Sequence, residues 1–139
     1  MRRVFKTRHF SRWMRKTELS DPALYAAVVE MERGLIDADL GGGIVKKRVA
    51  LPGRGKSGGA RTLVATNKGN RWFYVFGFEK NERPNVSAKE LEALQKIAVD
   101  LLKLNIEGRE LPVIALVPPP AGVGADVATL SLLAERLGR

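Results

Sequence analysis

The chain has 139 residues, one histidine and no cysteine, and its formal net charge is +9. The missing cysteines exclude disulfides and thiol catalysis, fit a reducing cytoplasm, and leave too few of the usual ligands for a zinc site. The chain has no run of about 18 apolar residues and no apolar signal-peptide core. We therefore expect a cytoplasmic protein with no membrane-spanning helix, no metal and no cofactor.

The first predicted elements are a short strand and two helices. The strand covers residues 3–6, and the helix after it covers about residues 7–16, with Phe10 and Met14 on one side. The second helix begins at Asp21, which can cap it, has Pro22 in its first turn and ends near Gly34.

Three strands and a third helix follow. The strands are IVKKRVAL, TLVAT and RWFYVFGF, and the turn NKGN between the last two predicts a β-hairpin. Ser87 and Glu90 form a capping box at the start of a helix that runs to about Leu104. LPVIALV, at residues 111–117, is a candidate last strand. The order βααβββα(β) predicts the α+β class, a small antiparallel sheet with helices mainly on one face.

The glycine-rich segment ALPGRGKSGGAR, at residues 50–61, resembles a nucleotide-binding P-loop at first sight. That motif needs a glycine five residues before its Gly-Lys-Ser triplet and a helix after it. Here the triplet begins at Gly55, position 50 is Ala50, and a β-rich run follows. The segment is therefore no ATP or GTP loop, and we expect it to hold a different phosphate.

The basic residues are unevenly distributed along the chain. Residues 1–16 and 40–78 hold 15 of the 24 Lys and Arg and no acidic residue, so the remainder carries nine basic and 15 acidic residues. Such segregation predicts a positive face, for which nucleic acid is the commonest partner. A merely solvated surface and a membrane surface are the alternatives.

The strand RWFYVFGF holds five of the nine aromatic residues. By strand alternation Trp72, Tyr74, Phe76 and Phe78 share one face. A buried central strand explains this pattern, and stacking of an exposed ring on a nucleobase is the second interpretation. The candidates for stacking are Tyr74 and Phe78.

Three segments resemble the RelE/HigB-like toxins of bacterial toxin–antitoxin pairs: VFKTRHFSRW, RGLIDADLGGGIVKKRVA and RVALPGRGKSGGAR with its continuation to GFEKNER. The resemblance implies a twisted sheet with two amino-terminal helices and one carboxy-terminal helix. It implies a small ribonuclease that cuts messenger RNA on the ribosome and a cognate antitoxin, expected to carry a helix-turn-helix domain. It fades near Leu104, so we expect a toxin domain at 1–110 and an extension at 111–139.

RNA cleavage without metal uses the RNA 2′-hydroxyl as nucleophile, so the protein must move protons and stabilise charge on the phosphate. Arginine suits the second task because its rigid fork contacts two phosphate oxygens. The catalytic candidates are Arg61, Lys56, Lys80 and Glu82. The phosphate-binding candidates lie in or near the glycine segment and the strand ends: Arg54, Lys46, Arg48, Arg83, Gly55, Gly58 and Gly59.

The acid and base stay open at this point. A lysine crowded by cations has a lowered pKa, which suits proton transfer, and Glu79 or Glu82 can act as base. A salt bridge of Glu82 with Lys80 or Arg83 is the structural alternative, and no motif links His9 to the glycine segment. Two other functions also remain: a non-catalytic RNA or ribosome binder, and a ParE-like gyrase poison.

Overall fold

The structure, a computed structural model, describes residues 2–53, 55–104 and 114–120. Within these ranges the chain forms nine elements: β1 Arg3–Thr7, α1 Arg8–Met14, α2 Asp21–Glu32, β2 Ala38–Gly41, β3 Ile44–Leu51, β4 Gly55–Thr66, β5 Arg71–Glu79, α3 Ala88–Lys103 and β6 Ile114–Leu116. The predicted α+β class is confirmed. One strand, β2, had not been predicted.

The six strands form one open sheet in the order β2-β3-β4-β5-β1-β6. All neighbouring pairs are antiparallel except β1 and β5, which run parallel, with Phe5 opposite Phe73. The prediction of an antiparallel sheet is therefore corrected at this pair. A parallel pair needs a long crossover, and the chain supplies one through α1, α2 and the β2–β5 meander.

Strand β2 was missed because it has only four residues, ADLG, which is too short for the alternation of Ala38 and Leu40 with Asp39 and Gly41 to indicate a strand. It joins β3 through Gly41, Gly42 and Gly43, whose φ angles of 82, 61 and 83 degrees lie in the left-handed region. A side chain at Gly42 would also meet that of Gln95 at 2.7 Å. The three glycines are thus a hairpin turn that packs under α3.

Of the two helix caps predicted from the sequence, one is confirmed and one differs. The Ser87–Glu90 capping box is confirmed, and Thr7 accepts the backbone N–H of Phe10 to cap α1. The cap of α2 is Ser20 rather than Asp21, because the Ser20 hydroxyl accepts the Ala23 N–H. The Asp21 carboxylate instead pairs with Lys6 at 2.7 Å.

The helices pack on both faces of the sheet, two on one face and one on the other, which agrees with the expectation of helices mainly on one face. Helices α1 and α2 bury Phe10, Leu24 and Val28 against Trp72 and Tyr74. Helix α3 packs on the opposite face, where its buried residues Leu94, Ala98 and Leu101 contact a cluster that includes Phe5, Phe73 and Val75. The central strands are aromatic or β-branched on both sides because both sides are covered.

An irregularity in β5 breaks the predicted alternation of its aromatic rings. Leu63 lies opposite Phe76, whereas the next residue, Val64, lies opposite Tyr74, so Val75 is an extra residue. Phe76 consequently packs with the α3-side cluster, while Trp72 and Tyr74 belong to the other. The prediction that all four rings share a face was wrong, because Phe76 and Phe78 lie on the other face from Trp72 and Tyr74.

The predicted last strand is confirmed as β6, which pairs with β1 and so joins the extension to the sheet. Val117, just after it, is 1% exposed and belongs to the α1–α2 core. Residues 121–139 of the extension lie outside the described residues. Within the described ranges no helix is long and apolar enough to cross a membrane.

Candidate nucleic-acid interface

The first two residues of the glycine-rich segment end strand β3, and residues 55–61 belong to strand β4, which therefore begins well before the predicted strand TLVAT. Leu51 pairs with Gly55 and Val49 pairs with Ala60, so residues 56–59 form a bulge opposite the single residue Ala50. A Cβ at Gly59 would stand 2.2 Å from the Val49 carbonyl oxygen, which is why this position must be glycine. The bulge brings exposed Gly58 and the Lys56 backbone to the sheet margin.

Two arginines lie side by side where the bulge ends. Arg61 of β4 is directly opposite Arg48 of β3, and on its other side it is opposite Phe78 of β5. The half-buried Arg61 donates from Nη1 to the Gly59 carbonyl at 2.9 Å. Arg48 is 46% exposed and pairs with Asp37 at 3.1 Å. The two arginines therefore occupy neighbouring positions on one face of the sheet.

Lys46 is a third cation on the same face of the sheet as Arg48 and Arg61. It lies opposite Leu63 and two residues before Arg48, so it points to the same face. Its side chain is half-buried, and within the described ranges it forms no ion pair. Arg54 and the side chains of Gly55, Lys56 and Ser57 lie outside the described residues.

The turn after β5 starts beside Arg61, because Glu79 lies opposite Ala60. Lys80 in this turn is exposed. One carboxylate oxygen of Glu82, Oε1, accepts the Glu79 N–H at 2.9 Å and the Trp13 Nε1–H at 3.3 Å. The carboxylate is thus oriented by N–H donors, and not by the salt bridge with Lys80 or Arg83 that was the alternative.

Arg83 is the second cation of this turn, and it pairs with Glu90 at 2.7 Å. Its guanidinium carbon also lies 5.7 Å from the centre of the Phe76 ring, within cation–π range. The hydrogen bond from Arg83, aided by those from Ser87, lowers the pKa of Glu90 to about 2, and the same bond raises the pKa of Arg83. Arg83 is therefore held in one orientation.

The two rings proposed for base stacking lie in the core. Tyr74 is 0% exposed and donates its hydroxyl to the Leu24 carbonyl at 2.6 Å, and its burial raises its pKa. Phe78 is 1% exposed. Neither ring presents a face to solvent, and Phe76 is the more open ring at this end of β5.

Helix α1 supplies residues that the sequence did not connect to the site. The exposed His9 ring stacks on Phe76, with centroids 5.6 Å apart and planes 9 degrees from parallel. Trp13 lies over Gly77, where a Cβ would come within 2.3 Å of the indole. A glycine inside an aromatic strand often marks such a close approach, and this was the one signal available.

Many cations of the acid-free segments have structural partners, so the positive surface is smaller than the sequence indicated. Within the described ranges, ion pairs join Arg2 to Glu32, Lys6 to Asp21, Lys47 to Glu30, Arg48 to Asp37 and Lys68 to Asp39, and all five carboxylates lie outside residues 1–16 and 40–78. Arg71 donates to the carbonyls of Leu102 and Leu104 at the end of α3. Among the described residues no group of His, Asp and Glu is placed to hold a metal.

Comparison with known proteins connects this geometry to a family. A family model described as the RelE toxin of the RelE/RelB toxin–antitoxin system matches residues 2–111. No curated protein matches the chain significantly. The matched range contains every candidate site residue and every element from β1 to α3, whereas β6 follows it.

Proposed function

The chain belongs to the RelE family and so to the toxins of toxin–antitoxin pairs, and from this premise we propose that it is a ribosome-dependent endoribonuclease. In this proposal it cuts messenger RNA in the cytoplasm and stops translation. Its partners are the messenger RNA, the ribosome and an antitoxin with a helix-turn-helix DNA-binding domain.

The observation that carries the proposal is the position of Arg61. It lies beside Arg48 across the strand pair and next to a glycine bulge where backbone can approach a ligand closely. Two planar guanidinium groups in register suit the oxygens of one phosphate or of two neighbouring phosphates. As charge builds on the phosphate in the transition state, loss of one such donor costs about 3 kcal/mol.

The acid–base chemistry is assigned to the turn after β5. The RNA 2′-oxygen attacks the adjacent phosphorus and gives its proton to Glu82, whose Oε1 is already oriented by two N–H donors. The bond from phosphorus to the 5′-oxygen breaks, and Lys80 or Lys56 supplies the proton to that leaving oxygen. The products are a 2′,3′-cyclic phosphate and a free 5′-hydroxyl, and the ribosome completes the orientation of the substrate.

Phosphate binding is assigned to the surrounding cations and backbone. Lys46 and Arg48 follow one face of β3, and Arg83 lies at the end of β5. In the β4 segment the exposed Gly58 leaves room for the RNA backbone, and Gly59 holds the bulge in place because only glycine fits against the Val49 carbonyl. Gly55, Arg54 and Lys56 lie in the same segment. These contacts position the strand without reading its sequence.

The test is induction of the protein without an antitoxin, followed by pulse labelling with an amino acid and mapping of RNA ends. We expect amino-acid incorporation to stop first and new 5′-hydroxyl ends to appear in translated messages, with neither in an Arg61→Ala strain. Continued incorporation with early DNA damage would indicate a gyrase poison instead. A translation block without new RNA ends would indicate a binder that does not cut.

A further inference from the structure

A groove lies between α1 and the end of β5, and no residue of α3 lines it. It has a volume of about 390 Å³, within the usual range of ligand pockets, about 300–1,000 Å³. Its lining combines aromatic and cationic side chains, chiefly His9, Arg12, Trp13, Lys16, Phe76 and Arg83. The mechanism above gives none of the α1 residues a role.

The walls of the groove are fixed by local packing. Gly77 lets the Trp13 ring lie directly on β5, and the indole N–H donates to Glu82 at 3.3 Å. The opposite wall is the stack of His9 on Phe76, next to the Arg83 guanidinium. Because both walls are held in place without a ligand, binding would require little reorganisation.

The charge of the groove comes from one stripe of α1 and the turn after it. Arg8, Arg12 and Lys16 recur at intervals of four residues, and like charges at this spacing destabilise a helix. Arg12 and Lys16 are both exposed, and neither forms an ion pair within the described part of the chain. Helix α1 also has no acidic residue in its first turn. A bound anion would offset this repulsion.

We propose that this groove binds one nucleotide of single-stranded RNA. The base lies against the rings of Trp13 and His9, and the flanking phosphates contact Arg12 and Lys16. Exposed aromatic rings combined with a cationic groove are the usual features of sites for single strands. The inference rests on the proposed function for the identity of the ligand.

The groove lies one strand away from Arg61, the proposed cleavage residue. Phe78 lines it and is the strand neighbour of Arg61, and Glu82 lines it as well. Neighbouring strands are about 4.8 Å apart, so a strand of RNA with a phosphate at Arg61 has its next nucleotide within reach of α1. The groove thus provides a subsite beside the scissile phosphate.

The test uses a 2′-O-methyl oligoribonucleotide, which lacks the nucleophile and so reports binding alone. Trp72 is fully buried, so quenching of tryptophan fluorescence on binding must come from Trp13. We expect quenching in the wild-type protein and none in Trp13→Phe, although this variant still binds. We also expect the log–log salt slope of binding to become shallower by about 1.4 in Arg12→Ala/Lys16→Ala, through loss of two phosphate contacts.

The matched control is Lys89→Ala/Lys96→Ala on α3, which removes the same charge and should leave the slope unchanged. An unchanged slope in the Arg12/Lys16 variant, or quenching that survives Trp13→Phe, overturns the proposal even where the wild-type protein cuts messenger RNA normally. If the wild-type protein shows the expected quenching but does not cut unmodified messenger RNA, the RNA-binding groove is supported and the proposed nuclease activity is contradicted. If the Arg12/Lys16 variant loses only antitoxin binding, the groove is an antitoxin surface and the inference fails.

Discussion

The cations of this chain fall into two groups, one paired with carboxylates of the fold and one at the surface that we assign to RNA. The first group lies on the side of the sheet covered by α1 and α2, where Arg2, Lys6 and Lys47 each pair with a carboxylate at 2.7–2.9 Å. The second lies at the open end of the sheet, where Arg61 faces Arg48 and the stripe of α1 faces a groove. Both groups come from segments that contain no acid, so charge along the sequence does not by itself identify the binding surface.

The neighbours Lys46 and Lys47 show the difference within one strand. The Lys47 side chain is 3% exposed and bonds to Glu30 and to the Leu35 carbonyl. Lys46 points to the opposite face, where α3 does not cover it fully. One lysine therefore belongs to the fold and the other to the surface that we assign to RNA.

The largest expected effect separates Arg61 from Arg71, an arginine whose partners are backbone carbonyls of the fold. Arg61→Ala should lower the rate of message cleavage about 100-fold, equivalent to about 3 kcal/mol, because it removes a donor to the transition-state phosphate. Its melting temperature should change little. Arg71→Ala should do the reverse, since Arg71 donates to the last carbonyls of α3. Cleavage in a reconstituted translation reaction and thermal unfolding measure the two quantities.

This pair of variants also tests the assignment of Arg61. A rate loss of similar size in both variants, measured per folded molecule, would mean that cleavage reports the integrity of the sheet. A loss below about threefold in Arg61→Ala would remove Arg61 from the catalytic machinery. Arg61→Lys, which keeps the charge but not the fork, should recover only part of the rate.

The next effect distinguishes the neighbouring lysines. Lys47→Ala leaves Glu30 and the Leu35 carbonyl without their donor, and we expect a loss of about 2 kcal/mol in the free energy of unfolding. This figure is below that for a fully buried pair because the Glu30 side chain is 35% exposed. Urea unfolding measures it, and Lys47→Met should lose less because the methionine keeps the buried stem volume.

Lys46→Ala should leave the free energy of unfolding unchanged. It should make the log–log salt slope of oligonucleotide binding shallower by about 0.7, because it removes one phosphate contact. The same slope should be unaltered in Lys47→Ala at a temperature where both variants are folded. Equal slopes for the two variants would contradict the division of the cations into two groups.

The parts of the fold that follow local rules were predictable from the sequence. The NKGN turn gave the β4–β5 hairpin because Asn and Gly accept turn conformations, and in the structure Lys68 has a φ of 61 degrees within that turn. The capping box of α3 was found because Ser87 and Glu90 satisfy each other at a fixed spacing. The core strands were found because their apolar residues are continuous.

The features set by register were not predictable in this way. The extra residue Val75 in β5 turns Phe76 to the other face, and no residue type announces it. Arg48 and Arg61 are 13 positions apart, and their juxtaposition depends on how the bulge at 56–59 is accommodated. The groove was missed because it depends on α1 packing over Gly77, a tertiary contact.

The smallest expected effect concerns the pair Arg83–Glu90, which shares features of both groups: Arg83 lines the groove and is also paired. The pKa of Glu90 is about 2 in the folded chain, below its ordinary value of 4.5, so ionised Glu90 stabilises the fold above pH 4.5. That stability is lost as the pH falls from 4.5 to about 2.

Glu90→Gln removes the charge and keeps the capping box, which also accepts glutamine. We therefore expect the melting temperature of the wild-type protein to exceed that of Glu90→Gln above pH 4.5, and the two values to converge near pH 2. Glu92→Gln, whose pair with Lys96 is longer, at 3.7 Å, is the control and should show a smaller pH-dependent difference. A difference that persists at pH 2, or one that grows as the pH falls, would show that Glu90 does not act through its ion pair.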